Sequence, residues 1–199
     1  MTVERDKTWN YMPVIDDHFC TKCGLCLEVC PGKEVDFKSL TDSFISKNQR
    51  KWHRDVGQYL NAFLGYSTEN EIREKASSGG AVPTILLHLL ETGMIDGVLV
   101  VRSTIKDPFN PKAFIAKSRQ EILNSMQSKY HPVFLNSILK RIDKANGKYA
   151  IVGLPCHLQG LRKYERLKRE LKRKIFLRIG LFCGLNLRFD SLEFFTHKV

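Results

Sequence analysis

The chain has 199 residues, of which 43% are hydrophobic and 27% charged, and this composition is that of an ordinary globular protein rather than a disordered or fibrous one. No apolar run approaches the ~20 residues of a membrane-spanning helix, and the first residues lack the apolar core of a secretory signal, so we expect a cytoplasmic protein without a membrane span. The formal net charge of +11 favours an anionic partner, such as an acidic protein, a charged cofactor or nucleic acid.

The first residues, 1–19, are polar and aromatic without periodicity, and they predict an irregular lead-in. A cysteine run follows, which consists of Cys20, Cys23, Cys26 and Cys30. In a reducing cytosol, clustered cysteines are more often metal ligands or redox groups than disulfides. The spacing C-x2-C-x2-C-x3-C-P is that of bacterial ferredoxins, whereas zinc sites favour cysteine pairs separated by a longer span. We therefore predict a 4Fe–4S cluster in this run.

Two cluster arrangements are compatible with six cysteines. In two-cluster ferredoxins the last cysteine of such a run serves a second cluster, which a second run helps to hold, and this sequence has no second run. Either the four cysteines of the run close one cluster, or Cys30 joins Cys156 and Cys183 at a second one. The second arrangement needs a further ligand that is not a cysteine of this chain.

After the cysteine run, residues 32–56 are mixed and charged, and they predict a loop-rich joint. Residues 59–66 then predict a short strand. Thr68 with Glu71 three residues later has the form of a capping box, which begins a helix over residues 69–75.

A Ser/Gly segment separates this helix from a second one, which is predicted over residues 81–92. The apolar residues on one face of the second helix are Ile85, Leu86, Leu89 and Leu90. His88 lies in the same apolar helix and is expected to be packed in the core. The Ser/Gly segment itself contains Ser77, Ser78, Gly79 and Gly80. Backbone N–H groups at a helix start can bind an anion, so this segment is a candidate phosphate site, although many such segments merely cap helices.

Short apolar runs alternate with helical patterns in the rest of the chain. Strands are predicted over residues 95–101, 149–152 and 175–181, and helices over 134–145 and 157–173. This alternation is typical of an α/β core with a mostly parallel sheet. In such sheets, ligand sites lie outside the carboxyl ends of the strands.

Cys156 and Cys183 each follow one of these predicted strands. Two cysteines at adjacent strand ends can converge on one cluster, so both are candidate ligands. The alternative is plain burial as small apolar side chains.

Much of the positive charge lies between residues 162 and 178, where nine Lys or Arg residues accompany Glu165 and Glu170. One interpretation is a solvated helix face with ion pairs such as Glu165–Arg169. The other is a docking surface for an acidic partner.

Five short segments occur in a fixed order along the chain. They are ASSGG at residues 76–80, LETGMIDGV at 90–98, SKY at 128–130, GLPCHLQGLRK at 153–163 and GLFC at 180–183. This ordered set resembles the beta-subunit family of coenzyme F-420 hydrogenases and dehydrogenases, which also includes a chlorophyll-cycle reductase. The resemblance covers roughly residues 15–185, and the ordered set is specific even though each segment alone is not.

The resemblance implies an iron–sulfur flavoprotein electron-transfer subunit, which holds FAD against its α/β domain and passes electrons between a 4Fe–4S cluster and the flavin. It implies the deazaflavin F-420 as the substrate, and as partners a redox protein or other subunits of a hydrogenase or dehydrogenase complex.

The resemblance also implies roles for individual residues. The residues that it places at the flavin are Ser77, Ser78, Gly79, Gly80, Lys129 and Tyr130. Lys129 would stabilise a reduced, anionic flavin, and His131 is a candidate to face the same pocket. Cys156 and Cys183 would be ligands of a cluster close to the flavin.

The family pattern divides the chain into a ferredoxin-type 4Fe–4S segment (1–56), an N-terminal α/β domain (57–145) and the start of a C-terminal domain (146–199). Family members continue further, so we expect a fragment, a shortened relative or half of a split protein. The sequence departs from the family at Leu154, where threonine is commoner, and in having one ferredoxin run where many members have two.

Two other functions stay open. The early end of the chain favours a flavin-free, ferredoxin-like adaptor that relays electrons to a larger enzyme. The net charge of +11 suggests a nucleic-acid binder with a structural cluster. The sequence lacks the interleaved aromatic and basic residues of a single-strand platform, so no specific nucleic-acid partner is expected.

Overall fold

The computed structural model describes residues 2–6, 11–104, 107–187, 191 and 194. Parts of the predicted lead-in and most of the chain after residue 187 therefore lie outside the described residues. The strands are β1 (Thr2–Arg5), β2 (Tyr11–Val14), β3 (Lys51–His53), β4 (Gly57–Tyr59), β5 (Gly97–Thr104), β6 (Asp107–Ala116), β7 (Tyr149–Gly153) and β8 (Ile175–Gly180).

Helices separate most of these strands. The α-helices are α1 (Leu25–Glu28), α2 (Phe37–Asp42), α3 (Asn70–Lys75), α4 (Ala81–Glu91), α5 (Arg119–Leu123), α6 (Leu139–Lys144), α7 (Pro155–Leu167) and α8 (Arg169–Lys174). Short 3-10 helices span Lys47–Gln49 and Leu135–Ile138.

The main sheet has four strands in the order β6-β5-β7-β8. β5 pairs with β7 and β7 with β8 in parallel, whereas β6 is an antiparallel edge strand. The predicted α/β class with a mostly parallel sheet is therefore confirmed. β6 was not predicted, because it contains Pro108 and Pro111; proline cannot donate to a ladder and is confined to edge strands of this kind.

Side chains from alternate positions of β5 and β7 enter two hydrophobic clusters, one on each face of the sheet. Val98 of β5 packs with α4 and α5, whereas Leu99 packs with α6, α7 and α8. This alternation follows from the two-residue period of a strand. Fully buried residues such as Leu99 and Leu161 each contribute about 1.5–3 kcal/mol by leaving water.

Several predicted elements differ from the structure at their ends. Of the strand predicted over 59–66, only Tyr59 belongs to a strand, because residues 60–66 have no ladder partner. The capping box is wrong: α3 begins after Glu69, whose N–H donates to Ser67 Oγ. The helix predicted over 157–173 is interrupted at Lys168, which separates α7 from α8.

The face of α4 was also predicted incorrectly in part. Leu86 and Leu89 are buried as expected, but Leu87 is buried too and Ile85 is 47% exposed. His88 is exposed and is not a core residue. The buried stripe thus contains Leu87 in place of Ile85.

The joint predicted over 32–56 is more structured than expected. It contains α2, a 3-10 helix and most of an antiparallel hairpin formed by β3 and β4. The lead-in likewise contains the antiparallel pair β1 and β2. The division of the chain at residues 56 and 145 stays a prediction, and strands from both sides of residue 145 share the main sheet.

In the described part of the chain, no helix combines the length and apolar character that crossing a membrane requires.

Candidate functional site

A cavity of about 700 Å³ lies beyond the carboxyl ends of β7 and β8, and we call it the strand-end cavity. Gly153 and Leu154 line it at the end of β7, and Leu181, Phe182 and Cys183 line it after β8. This is where parallel sheets place their ligand sites. The volume falls within the range of roughly 300–1,000 Å³ that small-molecule sites occupy.

The Ser/Gly segment forms one wall of this cavity. Ser77, Ser78 and Gly80 line it, as does the first turn of α4. Gly80 has a φ of 77°, and a Cβ there would lie 2.9 Å from Ile72 Cγ2, so only glycine fits. Gly79 is not a lining residue; it packs against the backbone of Gly65. The candidate anion site is thus an α4 N-terminus that opens into a cavity.

A hydrogen bond joins the Ser/Gly segment to the SKY segment. The N–H of Ser128 donates to Ser77 Oγ at 3.0 Å, and the two hydroxyl groups lie 3.2 Å apart. Lys129 and Tyr130 consequently line the same cavity as Ser77. The structure brings these predicted site residues together, and their role in binding a flavin stays a prediction.

The ammonium of Lys129 contacts backbone carbonyl groups, whereas the family resemblance implies that it stabilises a reduced flavin. The ammonium donates to the carbonyl oxygens of Ser125 (2.5 Å), Met126 (2.5 Å) and Gln127 (2.9 Å). Burial lowers the pKa of Lys129 to about 8, whereas the three carbonyl groups favour its charged form. The Lys129 side chain therefore stabilises the cavity wall after α5 through hydrogen bonds to three backbone carbonyl oxygens.

Two histidines line the strand-end cavity. His131 is buried and lines the cavity beside Tyr130. His157 was missed, although it directly follows Pro155-Cys156 at the end of a predicted strand. Its Nδ1 accepts from the Leu154 N–H at 3.2 Å, and its Nε2 lies 2.9 Å from Val133 O, so Nε2 carries the proton. Burial lowers the pKa of His157, in keeping with this neutral form.

The cysteine run begins in a loop, continues through α1, which contains the exposed Cys26, and ends at the half-buried Cys30. Lys22 and Gly24 adopt left-handed conformations, with φ of 53° and 74°. The pKa of Cys23 is lowered, mainly by a hydrogen bond with the Leu25 backbone and then by one with the Thr21 side chain. Cysteine thiolates that accept N–H hydrogen bonds are the usual ligands of iron–sulfur clusters. The thiols of the cysteine run therefore fit such a cluster. Across the described residues, no three His, Cys, Asp or Glu side chains are already arranged around a single metal position.

Helix α7 holds the end of the cysteine run. A Cβ at Gly160 would lie 3.6 Å from both Pro31 Cδ and Val29 O, which is ordinary van der Waals contact, and 3.2 Å from Asn136 Nδ2, which is tighter. Helix α7 therefore packs directly on the end of the cysteine run. The ammonium of Lys163 donates to Cys30 O at 3.1 Å and to Glu34 O at 2.9 Å.

The next residues of α7 bind the joint through a buried charge cluster. Glu165 is 1% exposed and accepts from Arg162 at 2.8 Å and from Arg178 at 2.5 Å. Arg162 also donates to Ser43 Oγ at 2.7 Å and stacks on Phe44, 3.2 Å from its ring centroid. The predicted Glu165–Arg169 pair is therefore wrong, because Glu165 faces inward. Part of the basic stretch binds the chain's own joint, while α8 keeps exposed cations.

Both isolated cysteines are exposed, so plain burial is wrong for Cys156 and Cys183. Each lies three residues beyond the paired glycines Gly153 and Gly180 at the ends of β7 and β8. Cys183 lines the strand-end cavity. Cys156 does not; it lies one turn before Gly160 on α7, on the face that contacts the cysteine run. Their ligation of a cluster stays a prediction.

Known proteins of one family are similar to this chain. Residues 62–140 match the family described as "Coenzyme F420 hydrogenase/dehydrogenase, beta subunit N-term", and residues 146–199 match its C-terminal counterpart. A coenzyme F420-dependent sulfite reductase of Methanocaldococcus jannaschii is 28% identical over 93% of this chain and 34% of its own length. A coenzyme F420 hydrogenase subunit beta of Methanosarcina barkeri is 33% identical over 69% of this chain and 49% of its own length.

A solved structure shows the same fold. A chain of the F420-reducing [NiFe] hydrogenase complex from Methanosarcina barkeri superposes with a TM-score of 0.59 and 30% identity, over 67% of this chain and 50% of that one. This chain thus spans half or less of the length of these relatives. Two matched segments and a shared fold establish that the chain belongs to the coenzyme F420 hydrogenase/dehydrogenase beta subunit family.

Proposed function

We propose that the chain is an electron-transfer subunit of an F420-linked oxidoreductase, with a 4Fe–4S cluster in the cysteine run and FAD in the strand-end cavity. Relatives whose names join F420 to hydrogenase and sulfite reductase reactions support the F420-linked role. The similar chain in a hydrogenase complex supports other subunits as partners. The proposed location is the cytoplasm.

The observation that carries this proposal is the double contact made by α7. Its first turn lines the strand-end cavity through His157, and its next turns hold Val29 and Cys30 through Gly160 and Lys163. At 1.5 Å per residue, Leu154 and Gly160 are about 9 Å apart along the helix. One rigid element therefore sets a short separation between the cysteine run and the cavity, as electron transfer between their cofactors requires.

The cavity offers FAD two kinds of contact. The Ser77 and Ser78 hydroxyl groups and the N–H groups of Ala81 and Val82 at the start of α4 suit its pyrophosphate, although Pro83 in the same turn has no N–H to donate. Apolar side chains such as Leu86, Val100 and Val152 suit a ring system. When bound, FAD supplies the exchange between hydride transfer to or from F420 and single-electron transfer to a cluster.

Cys20, Cys23, Cys26 and Cys30 are the proposed ligands of a single cluster. The alternative is that Cys30 serves a second cluster with Cys156 and Cys183, and the exposure of both isolated cysteines keeps it available. Lys163 positions the Cys30 backbone in either case.

Anaerobic reconstitution of the whole chain tests the proposal. We expect about four iron atoms and one FAD per chain, and bleaching of the visible spectrum when reduced F420 is added. Cys23→Ser should abolish iron binding but leave FAD uptake. Cys183→Ser should leave iron unchanged if one cluster is present, and lower it if there are two.

The competing function is the flavin-free electron relay. Iron binding without FAD uptake, and no bleaching by reduced F420, would favour that adaptor and overturn the flavoprotein proposal. Absence of iron with normal FAD uptake would instead overturn the proposal that the cysteine run binds a 4Fe–4S cluster.

A further inference from the structure

A second cavity lies in the joint between the cysteine run and the α/β core, and we call it the joint cavity. Its volume is about 410 Å³, and it is lined by residues of α2, the first 3-10 helix and the β3–β4 hairpin. Its lining and that of the strand-end cavity have no residue in common. Four of the lining residues are cations, namely Lys38, Lys47, Arg50 and Lys51.

Arg50 is the fixed cation of the joint cavity. Its side chain is only 10% exposed and pairs with Asp42 at 2.7 Å. It also donates to Gln58 Oε1 at 3.0 Å and to Ile45 O at 2.9 Å. Because Asp42 balances Arg50, the remaining positive charge comes from the three lysines.

Among the described residues, no carboxylate forms an ion pair with any of the three lysines. Lys38 and Lys47 form no ion pair with any described residue, and Lys51 donates only to the neutral Asn61 Oδ1, at 3.3 Å. The charges of Lys38 and Lys47 act on Asp42, whose pKa is lowered mainly by its hydrogen bond with Arg50, against the effect of burial, and then by the charges of Arg50, Lys47 and Lys38. Like charges collected around one cavity favour a multiply charged anion there.

The joint cavity also has an aromatic wall. Trp52 lines it and is 70% exposed, although tryptophan is usually well buried. An exposed indole face can stack on a planar group of a ligand. The combination of three lysines with an indole therefore matches an anion that carries a planar ring.

We propose that the joint cavity is a binding site for a nucleotide-like molecule, whose phosphate groups contact Lys38, Lys47 and Lys51 and whose ring stacks on Trp52. This site is separate from the proposed FAD and cluster sites, and it requires neither of them.

Calorimetric titration of the whole chain with ADP, and separately with inorganic pyrophosphate, tests this site. With excess FAD present, so that ADP does not occupy the strand-end cavity, we expect saturable binding of one ADP per chain. The triple variant K38Q/K47Q/K51Q should weaken ADP binding at least about tenfold, since three attractive charges are removed. The matched variant K140Q/K172Q/R173Q removes the same charge from exposed residues on other elements and should change affinity less than about twofold.

Trp52→Leu distinguishes the contribution of the ring to binding from that of the phosphate groups. It should weaken ADP binding severalfold and leave pyrophosphate binding unchanged. Phe63 is 91% exposed and does not line the joint cavity, so Phe63→Leu should leave both affinities unchanged, as a control for loss of an exposed aromatic ring.

Three results would overturn the proposal. They are no saturable binding of ADP, equal weakening by the two triple variants, and ADP binding that survives K38Q/K47Q/K51Q but is lost in Ser77→Ala. The last result would place the nucleotide in the strand-end cavity.

Discussion

The ammonium of Lys163 donates a hydrogen bond to the carbonyl oxygen of Cys30, 3.1 Å away, although 133 positions separate the two residues in the chain. The same ammonium reaches Glu34 O at 2.9 Å. A single side chain of α7 thus fixes both ends of the turn that follows the last cysteine of the run. This contact ties the position of the proposed cluster to the helix that borders the strand-end cavity.

Lys163→Met keeps most of the apolar stem but removes the donor to Cys30 and Glu34. We expect the free energy of unfolding to fall by about 1.5–3 kcal/mol, as for other hydrogen bonds to a charged group. Trypsin should also cleave after Lys33 faster, because that residue lies between the two released carbonyls. Lys172→Met, at an exposed position of α8, should change neither quantity. Unchanged cleavage in Lys163→Met would show that the contact does not hold the turn.

Gly160→Leu should displace the cysteine run from α7. The new side chain would extend from a Cβ position that lies 3.2 Å from Asn136 Nδ2 and 3.6 Å from Pro31 Cδ and Val29 O, so it would press on both Asn136 and the cysteine run. We expect a cost of about 1–3 kcal/mol in unfolding free energy, as for other overpacked sites, and lower iron content after reconstitution. Gly65→Leu adds the same side chain where a Cβ meets nothing within 4 Å. Equal iron content in the two variants would contradict the prediction.

Glu165→Gln removes the only carboxylate in contact with Arg162 and Arg178 among the described residues. Two cations then stay largely buried without compensation, and we expect the free energy of unfolding to fall by about 3 kcal/mol. Glu170→Gln on α8 is exposed and should change it by less than about 0.5 kcal/mol. Urea unfolding at pH 7 measures both values, and similar values would show that the buried cluster is not stabilising.

Lys129 is expected to lose its proton near pH 8, because burial lowers its pKa to about 8. Between that pH and the ordinary lysine pKa of about 10.4, the unfolded chain binds more protons at this site than the folded chain does. The contribution of Lys129 to stability should therefore rise with pH across that window. An NMR titration of the Lys129 side chain checks the pKa. A value at or above the ordinary one would show that the three carbonyl acceptors outweigh burial.

Ser77→Ala should weaken FAD binding by about two- to tenfold, the range expected when one hydrogen bond is lost. The substitution removes the acceptor for the Ser128 N–H and a hydroxyl group that lines the cavity. Ser103→Ala, on β5 and outside the strand-end cavity, serves as the control. Equal FAD affinity in Ser77→Ala and the parent chain would show that Ser77 does not contribute to the proposed flavin site.

Elements that depend on local pattern were predicted from the sequence. The strands around Val98 and Ile151 are short apolar runs, and the helix that starts after Gly80 ends at a second left-handed glycine, Gly93. These elements are determined by a few residues that are neighbours in the sequence. The same is true of the cysteine spacing, although ligation by those cysteines stays a prediction.

Features that depend on distant partners were not predictable in this way. The sequence cannot show that Glu165 faces Arg162 and Arg178 in the interior, because helical spacing allows a solvated pair with Arg169 equally well. It also could not show that carbonyl groups hold Lys129, or that a pocket forms around Trp52. Sequence periodicity reports which residues share a face of one element. The tertiary structure decides what that face meets, because packing and ion pairing depend on residues far apart in the chain.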